Sequence, residues 1–190
     1  MSWVAALAGA IVLIGLYAWY AAIVVRRNRV AEALGGIDVQ LQQRHDLVPN
    51  ILTIARRFLD HEKALLSDIS ALRAQATARL GERDFAGLGE KFRAEDQLGR
   101  GMGRLLAVAE GYPALTSAEP MRQAQRSYEE VETNIAAARR FYNASVGDLR
   151  NAVQIFPGSL LAGLAGAGTL PPFFETTEAA RAPVEAARYL

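Results

Sequence analysis

The sequence predicts an all-α protein: an antiparallel, left-handed bundle of long helices with an N-terminal transmembrane helix. Three observations predict it. Residues 3–25 carry no charged side chain. Further on, apolar residues recur at steps of 3 and 4 along two long stretches, which is the seam of a helix packed on other helices. No segment shows sustained apolar/polar alternation, the mark of a half-buried strand.

The first element reads WVAALAGAIVLIGLYAWYAAIVV. As a helix rising ~1.5 Å per residue it reaches ~34 Å, enough for a hydrocarbon core of ~30 Å. Trp3 stands at one end. Tyr17, Trp19 and Tyr20 stand toward the other, one to two turns inside it, and such rings favour the membrane–water boundary. A cleaved signal peptide carries its positive charge before the apolar run. Here Arg26, Arg27 and Arg29 follow it. A buried core helix would be shorter and would have a polar face. The arginines also predict orientation, because Lys and Arg beside a span stay on the cytoplasmic side. The N-terminus is then outside and the remaining chain cytoplasmic. Gly9 and Gly15 among alanines permit close approach of a second such helix.

The next stripe runs through Leu34, Ile37, Leu41, Arg44, Val48, Ile51, Ala55, Phe58, Glu62, Leu65, Ile69, Leu72 and Ala76, with a second edge at Leu52, Leu59 and Leu66. It predicts one helix over residues 30–80, continuous with the membrane helix. Gly35-Gly36 is a place for a bend. Pro49 predicts a kink rather than a break, because the stripe keeps its phase across it. Residues 81–84 read as a connection. A second helix over 85–110 has the stripe Leu88, Phe92, Glu95, Leu98, Met102, Leu105 and Ala109. Glycines between Gly87 and Gly103 weaken it by ~1 kcal/mol each relative to Ala, which marks a mobile helix or one closely approached by a neighbour. Gly111-Tyr112-Pro113 breaks the chain. Thr116 and Glu119 have capping-box spacing, and Pro120 suits a first turn. The third helix, 118–155, steps through Met121, Ala124, Tyr128, Val131, Ile135, Ala138, Tyr142, Ser145, Leu149, Ala152 and Phe156. Pro157-Gly158 ends it. The chain divides into an anchor with its basic flank (1–29), a helical bundle (30–157) and a Gly/Ala/Pro-rich tail (158–190), whose last residues read as frayed.

Several of these blocks resemble the LemA family: Ile37-Asp38-Val39-Gln40-Leu41, Arg44-His45-Asp46-Leu47-Val48-Pro49-Asn50, His61-Glu62, Ala109-Glu110-Gly111-Tyr112-Pro113-Ala114-Leu115, Ala138-Arg139-Arg140-Phe141-Tyr142-Asn143 and Phe156-Pro157. The Pro-Phe-Phe ending at Phe174 is similar to that family's closing aromatic segment. The blocks keep family order from residue 17 to about 175. The resemblance implies bacterial origin, an N-terminal anchor, an antiparallel helical bundle and no known enzyme activity. It also implies envelope partners, since members are often encoded beside membrane metalloproteases and a relative occurs among magnetosome membrane proteins. The Gly99–Gly103 stretch departs from the pattern, and residues 176–190 read as an extension private to this chain.

Composition narrows the chemistry. Net charge is +1, and Cys is absent. Bulk nucleic-acid binding is not indicated. Disulfides, thiolate catalysis and cysteine metal sites are excluded. His61-Glu62 is half of a zinc-protease helix motif, which needs a second His one turn on, where Leu65 stands. His45 lies ~24 Å from His61 along one helix, so no metal is expected. Gly99-Arg-Gly-Met-Gly103 follows no strand and lacks the closing Lys-Ser or Lys-Thr of a phosphate loop. Ser145 is a small seam residue with no His near it in sequence. No cofactor and no small-molecule substrate is evident.

Arg44 and Glu62 occupy seam positions where apolar residues belong, and a charge there is costly unless paired. If the first and third helices run parallel, Glu62 levels with Arg139 or Tyr142, with Asn143 close by, and Arg44 levels with Glu119. These five residues, Arg44, Glu62, Arg139, Tyr142 and Asn143, are expected to be structural polar contacts that set register. The functional expectation is a non-catalytic membrane scaffold. It contacts the bilayer through residues 3–25 and other membrane or envelope proteins, or itself, through helical faces. A regulator of a membrane protease or envelope complex is the alternative. A hydrolase with a carboxylate site comes last, because no two carboxylates and a base gather in the sequence. Phe173-Phe174 is expected to pack on its own bundle.

Overall fold

The computed structural model describes residues 2–79 and 84–175. Among these residues six helices follow in order: α1 (Ser2–Ala55), α2 (Lys63–Thr77), α3 (Phe85–Ala109), the single turn α4 (Pro113–Thr116), α5 (Glu119–Gln154) and the single turn α6 (Gly158–Leu161). Among the described residues there is no strand. The expected connection at 81–84 lies outside the described residues, Asp84 apart.

The long apolar run passes into the second stripe without interruption. α1 has 54 residues, or ~80 Å at ~1.5 Å each. It is helical through Gly35-Gly36 and through Pro49. Its first turns are exposed although apolar (Leu7, Ile11, Leu13 and Ile14 are all 62–68% exposed). It is the helix among the described residues long and apolar enough to cross a membrane. From Ile23 onward its seam is buried.

One expectation fails at 56–62. A single helix over 30–80 is predicted, yet the chain turns there and α2 folds back along α1. Nothing local forces this, since the turn holds neither Gly nor Pro. Burial accounts for it: a straight continuation would carry Leu66, Ile69 and Ala76 past any neighbour, whereas folded back they join Val48, Ile51 and Leu98 in one core. The extra reversal also overturns the expected parallel arrangement of the first and last long helices. Trp19 Nε1 donates to the Ala152 carbonyl, and Arg44 reaches Glu132, so α5 descends as α1 ascends. Phe92 meets Tyr142 and Arg139 meets Asp96, so α3 and α5 are likewise opposed.

α3 is closely approached by its neighbours. A Cβ on Gly101 would stand 3.1 Å from Leu72 Cδ1. The predicted capping box does not form. Thr116 belongs to α4, and its hydroxyl turns back to the Pro113 carbonyl, so α5 begins after Ala118 with no side-chain cap.

The core is in two parts. The lower joins α1 from Ile23 to Leu41, Leu88 and Phe92 of α3, the C-terminal half of α5, and Ala165, Ala167 and Phe174 of the tail. The upper joins Val48–Leu59, α2, α3 from Ala94 to Ala109, and Met121 and Tyr128 of α5.

Pro49 is compensated across the helix boundary. It has no N–H, so the His45 carbonyl loses its intrahelical donor. Arg73 Nε on α2 donates to that carbonyl at 2.8 Å. The defect in α1 thereby becomes a fastening for α2. Arg73→Ala is expected to destabilise the protein by about 1–3 kcal/mol, the cost of an unpaired buried acceptor. In a Pro49→Ala background residue 49 supplies the missing N–H, and the same substitution should cost clearly less. Chemical denaturation of the four variants measures the difference, and equal costs in both backgrounds would refute the coupling.

Candidate functional site

Between the two cores lies a polar layer. Arg44 and His45 enter it from α1, Thr77 from α2, Glu95 from α3, and Glu132 from α5. Arg44, His45 and Glu95 are each at most 1% exposed. Arg44 Nη2 bonds the Glu95 carboxylate and, at 2.9 Å, the Glu95 carbonyl, while Nη1 bonds Glu132 Oε1 at 2.9 Å. His45 Nε2 is 3.0 Å from Glu95 Oε1, and Nδ1 is 2.7 Å from Thr77 Oγ1. A carboxylate only accepts, so Nε2 carries the proton of the Glu95 contact. A Cβ on Gly99 would lie 3.3 Å from Arg44 Nη1, so that glycine leaves room for the guanidinium.

The electrostatics are mutually supporting. Burial alone would raise the Glu95 pKa, but the His45 hydrogen bond and the Arg44 charge outweigh it and hold the carboxyl below its ordinary value of 4.5. Burial alone would lower that of Arg44, but the Glu132 and Glu95 charges outweigh it and hold it above its ordinary value. Tyr128, beside the layer, has its phenol pushed up by burial and then by the Glu132 charge. Arg44, His45 and Glu95 are closed off from solvent, while Glu132 and Thr77 reach the surface at the rim of the layer. Among the described residues no group of three His, Cys, Asp or Glu side chains is placed to hold a metal.

The five residues singled out in the sequence are not brought together. Arg44 meets Glu95 and Glu132 rather than Glu119, which pairs with Arg122. Glu62 sits half-buried in the turn before α2, where its carbonyl accepts from Leu66 N–H. It cannot reach Arg139, because Glu62 lies in the turn at the far end of α1, whereas Arg139 pairs with Asp96 near the middle of the helical body. Arg139, Tyr142 and Asn143 share a different task. They hold the strap of residues 171–174 against α5. Asn143 brackets Phe174, accepting from its N–H at 2.8 Å and donating to its carbonyl at 3.0 Å. The Tyr142 hydroxyl donates to the Pro172 carbonyl and Arg150 to that of Pro171. The Phe174 ring lies between two partners: Phe92 stacked on it at 4.0 Å and the Arg139 guanidinium 4.0 Å from its centroid. Arg139 also reaches Asp96 at 3.4 Å, and burial lowers its pKa. Phe174 thus packs on its own chain and is wholly buried.

Glu95 was missed as a polar contact, although its signal equals that of Arg44: a charge on a seam position, between Phe92 and Leu98. Lys91 is also fully buried and bonds Asp38 of α1.

Two outcomes follow. The Glu95 carboxyl is more acidic folded than unfolded, so its contribution is complete above about 4.5 and is lost as pH falls through the lower folded value. Glu95→Gln should lower stability at neutral pH and flatten the loss of stability on the acid side; urea midpoints from pH 7 downward report both, and an unchanged acid slope would contradict the assignment. Asn143→Ala removes both bonds that bracket Phe174. It should cost about 1–3 kcal/mol and expose the strap to limited proteolysis before the helices are cut; simultaneous cleavage would argue against a separable strap.

Comparison with known proteins places this architecture. The model of the LemA family matches residues 33–187. The match runs past residue 175, which corrects the expectation that 176–190 is private to this chain. Magnetosome protein MamQ of Magnetospirillum gryphiswaldense is 32% identical over 82 residues, 43% of this chain and 30% of that protein. Magnetosome protein MamQ 2 of Paramagnetospirillum magneticum is 33% identical over 73 residues, 38% of this chain and 27% of that protein. The aligned part spans less than a third of either relative's length. With the family match covering most of its residues, the chain belongs to the LemA family.

Proposed function

We propose that this protein is a membrane-anchored, non-catalytic scaffold: an antiparallel, left-handed helical bundle displayed on a single transmembrane helix, with its N-terminus outside and the bundle in the cytoplasm. One observation carries the reading. The exposed apolar turns of α1 and the buried seam of Ile37, Leu41, Val48 and Ile51 belong to one unbroken helix, so anchor and body form one stiff element. Membership in the LemA family and the likeness to magnetosome proteins fit a membrane-associated protein. The polar layer supports a structural rather than a catalytic role, because its buried charges on Arg44 and Glu95 are spent on one another. Left-handed packing at small crossing angles follows from the 3-4 seam spacing. Partners are other membrane or envelope proteins that dock on the long helical faces.

The absence of native Cys makes the topology directly testable. Ser2→Cys should react with a membrane-impermeant maleimide in intact cells, and Glu130→Cys, on the exposed face of α5, only after permeabilisation. The opposite labelling would invert the orientation, and labelling of both in intact cells would overturn the single-span reading.

A further inference from the structure

The end of the body nearest the apolar turns has an unusual surface. From Asn151 to Phe174 the chain contains no Asp, Glu, Lys or Arg. α5 ends within this stretch, and the chain turns beneath the body before returning to it. Ile155, Phe156, Leu160 and Leu164 are 57%, 74%, 69% and 77% exposed. Phe156 continues the α5 seam in sequence, yet it faces outward.

The turn is fastened to α1 at a definite level. Ala152 accepts from Trp19 Nε1 at 3.2 Å. A Cβ on Gly158 would lie 2.6 Å from Trp19 Nε1 and 1.8 Å from the Ala152 carbonyl oxygen, so only glycine fits there. Further on, Ala165 and Ala167 enter the core that contains Ile23 and Val30, and the Arg27 guanidinium lies over Gly166. The outward apolar residues 155–164 therefore lie beside α1 at about the level of Trp19 to Arg27.

That level coincides with where a bilayer must end. Residues 3–18 stand clear of the body, and at ~1.5 Å per residue they span ~24 Å, less than a hydrocarbon core of ~30 Å. The missing depth reaches the turns that begin at Trp19. The aromatic residues agree: Tyr17, Trp19 and Tyr20 cluster there, well before the apolar run ends, and such rings concentrate at the interface. Arg26, Arg27 and Arg29 lie about two to three turns beyond, on the headgroup side. Asp148 faces Arg26 across a groove of about 290 Å³ that Trp19 and Ile155 also line, so the positive ring is not unbroken.

We infer that residues 155–164 form a second, shallow membrane contact, with Phe156, Leu160 and Leu164 inserted among the acyl chains of the leaflet from which the body emerges. This rests on the anchored reading. The spanning helix and this loop together give two attachment points and hold the body at one rotational setting on the membrane surface.

Spin labels on single cysteines at Phe156, Leu160 and Leu164 of the full-length protein, reconstituted in phosphatidylcholine/phosphatidylglycerol vesicles, test this by their access to oxygen and to a water-soluble nickel chelate. Labels at Leu13 and Phe141 serve as lipid and water references; Phe141 is 53% exposed, higher on α5. The expected result is an oxygen-to-nickel ratio several-fold above that at Phe141 for all three loop sites, approaching that at Leu13. Water-like ratios in the loop beside a lipid-like Leu13 would overturn the second contact and leave the anchor standing. A water-like Leu13 would remove the anchor itself. Low access to both reagents would mean that protein covers the loop, and would also overturn the contact.

Discussion

The fold turns on one buried guanidinium. Arg44 sits where two apolar cores meet, and every long element near it contributes to its neutralisation or to that of its partners: Glu95 from α3, Glu132 from α5, and Thr77 from α2 through His45. Replacing such a group by a hydrocarbon of similar size is often harmless to stability, whereas stranding it is not. Its effect is therefore on choice of register. Helices with a plain 3-4 seam can slide by a turn and still bury leucine against leucine. A slide here would leave a charge in a hydrocarbon core. The layer excludes the slipped alternatives and holds the two cores at their heights.

The all-α class was legible because apolar spacing reports helices directly. Most predicted seam residues are buried, and α3 and α5 begin and end within a residue of expectation. The reversal at 56–62 was not legible, for a physical reason. Helix breaks are announced by Gly, Pro or capping residues, and this one has none. The stripe even stays in phase across it, because both sides must present leucine to the same core. The decision belongs to tertiary burial, which local sequence does not encode.

The polar contacts were half legible for a related reason. A charge on a seam announces that it needs a partner but not which one, and levelling partners requires a correct count of reversals. With one reversal missed, Arg44 was assigned to Glu119 and Glu62 to Arg139. The strap shows the same limit. Arg139, Tyr142, Asn143 and the Pro-Phe-Phe segment were each conspicuous, but their meeting joins residues thirty apart through backbone bonds that leave no trace in composition.

The continuity of α1 has a mechanical consequence. A jointed stalk lets a domain wander independently of its anchor; an uninterrupted rod does not. Spanning helices settle at tilts between ~0° and 40°, set partly by bilayer thickness. The portion from Arg26 to Ala55 is ~45 Å long, so a change of ~10° sweeps its tip sideways by roughly 8 Å. In the anchored arrangement, a thicker or thinner lipid layer is thus translated into displacement of the far pole, with the helix as the pointer of a thickness gauge.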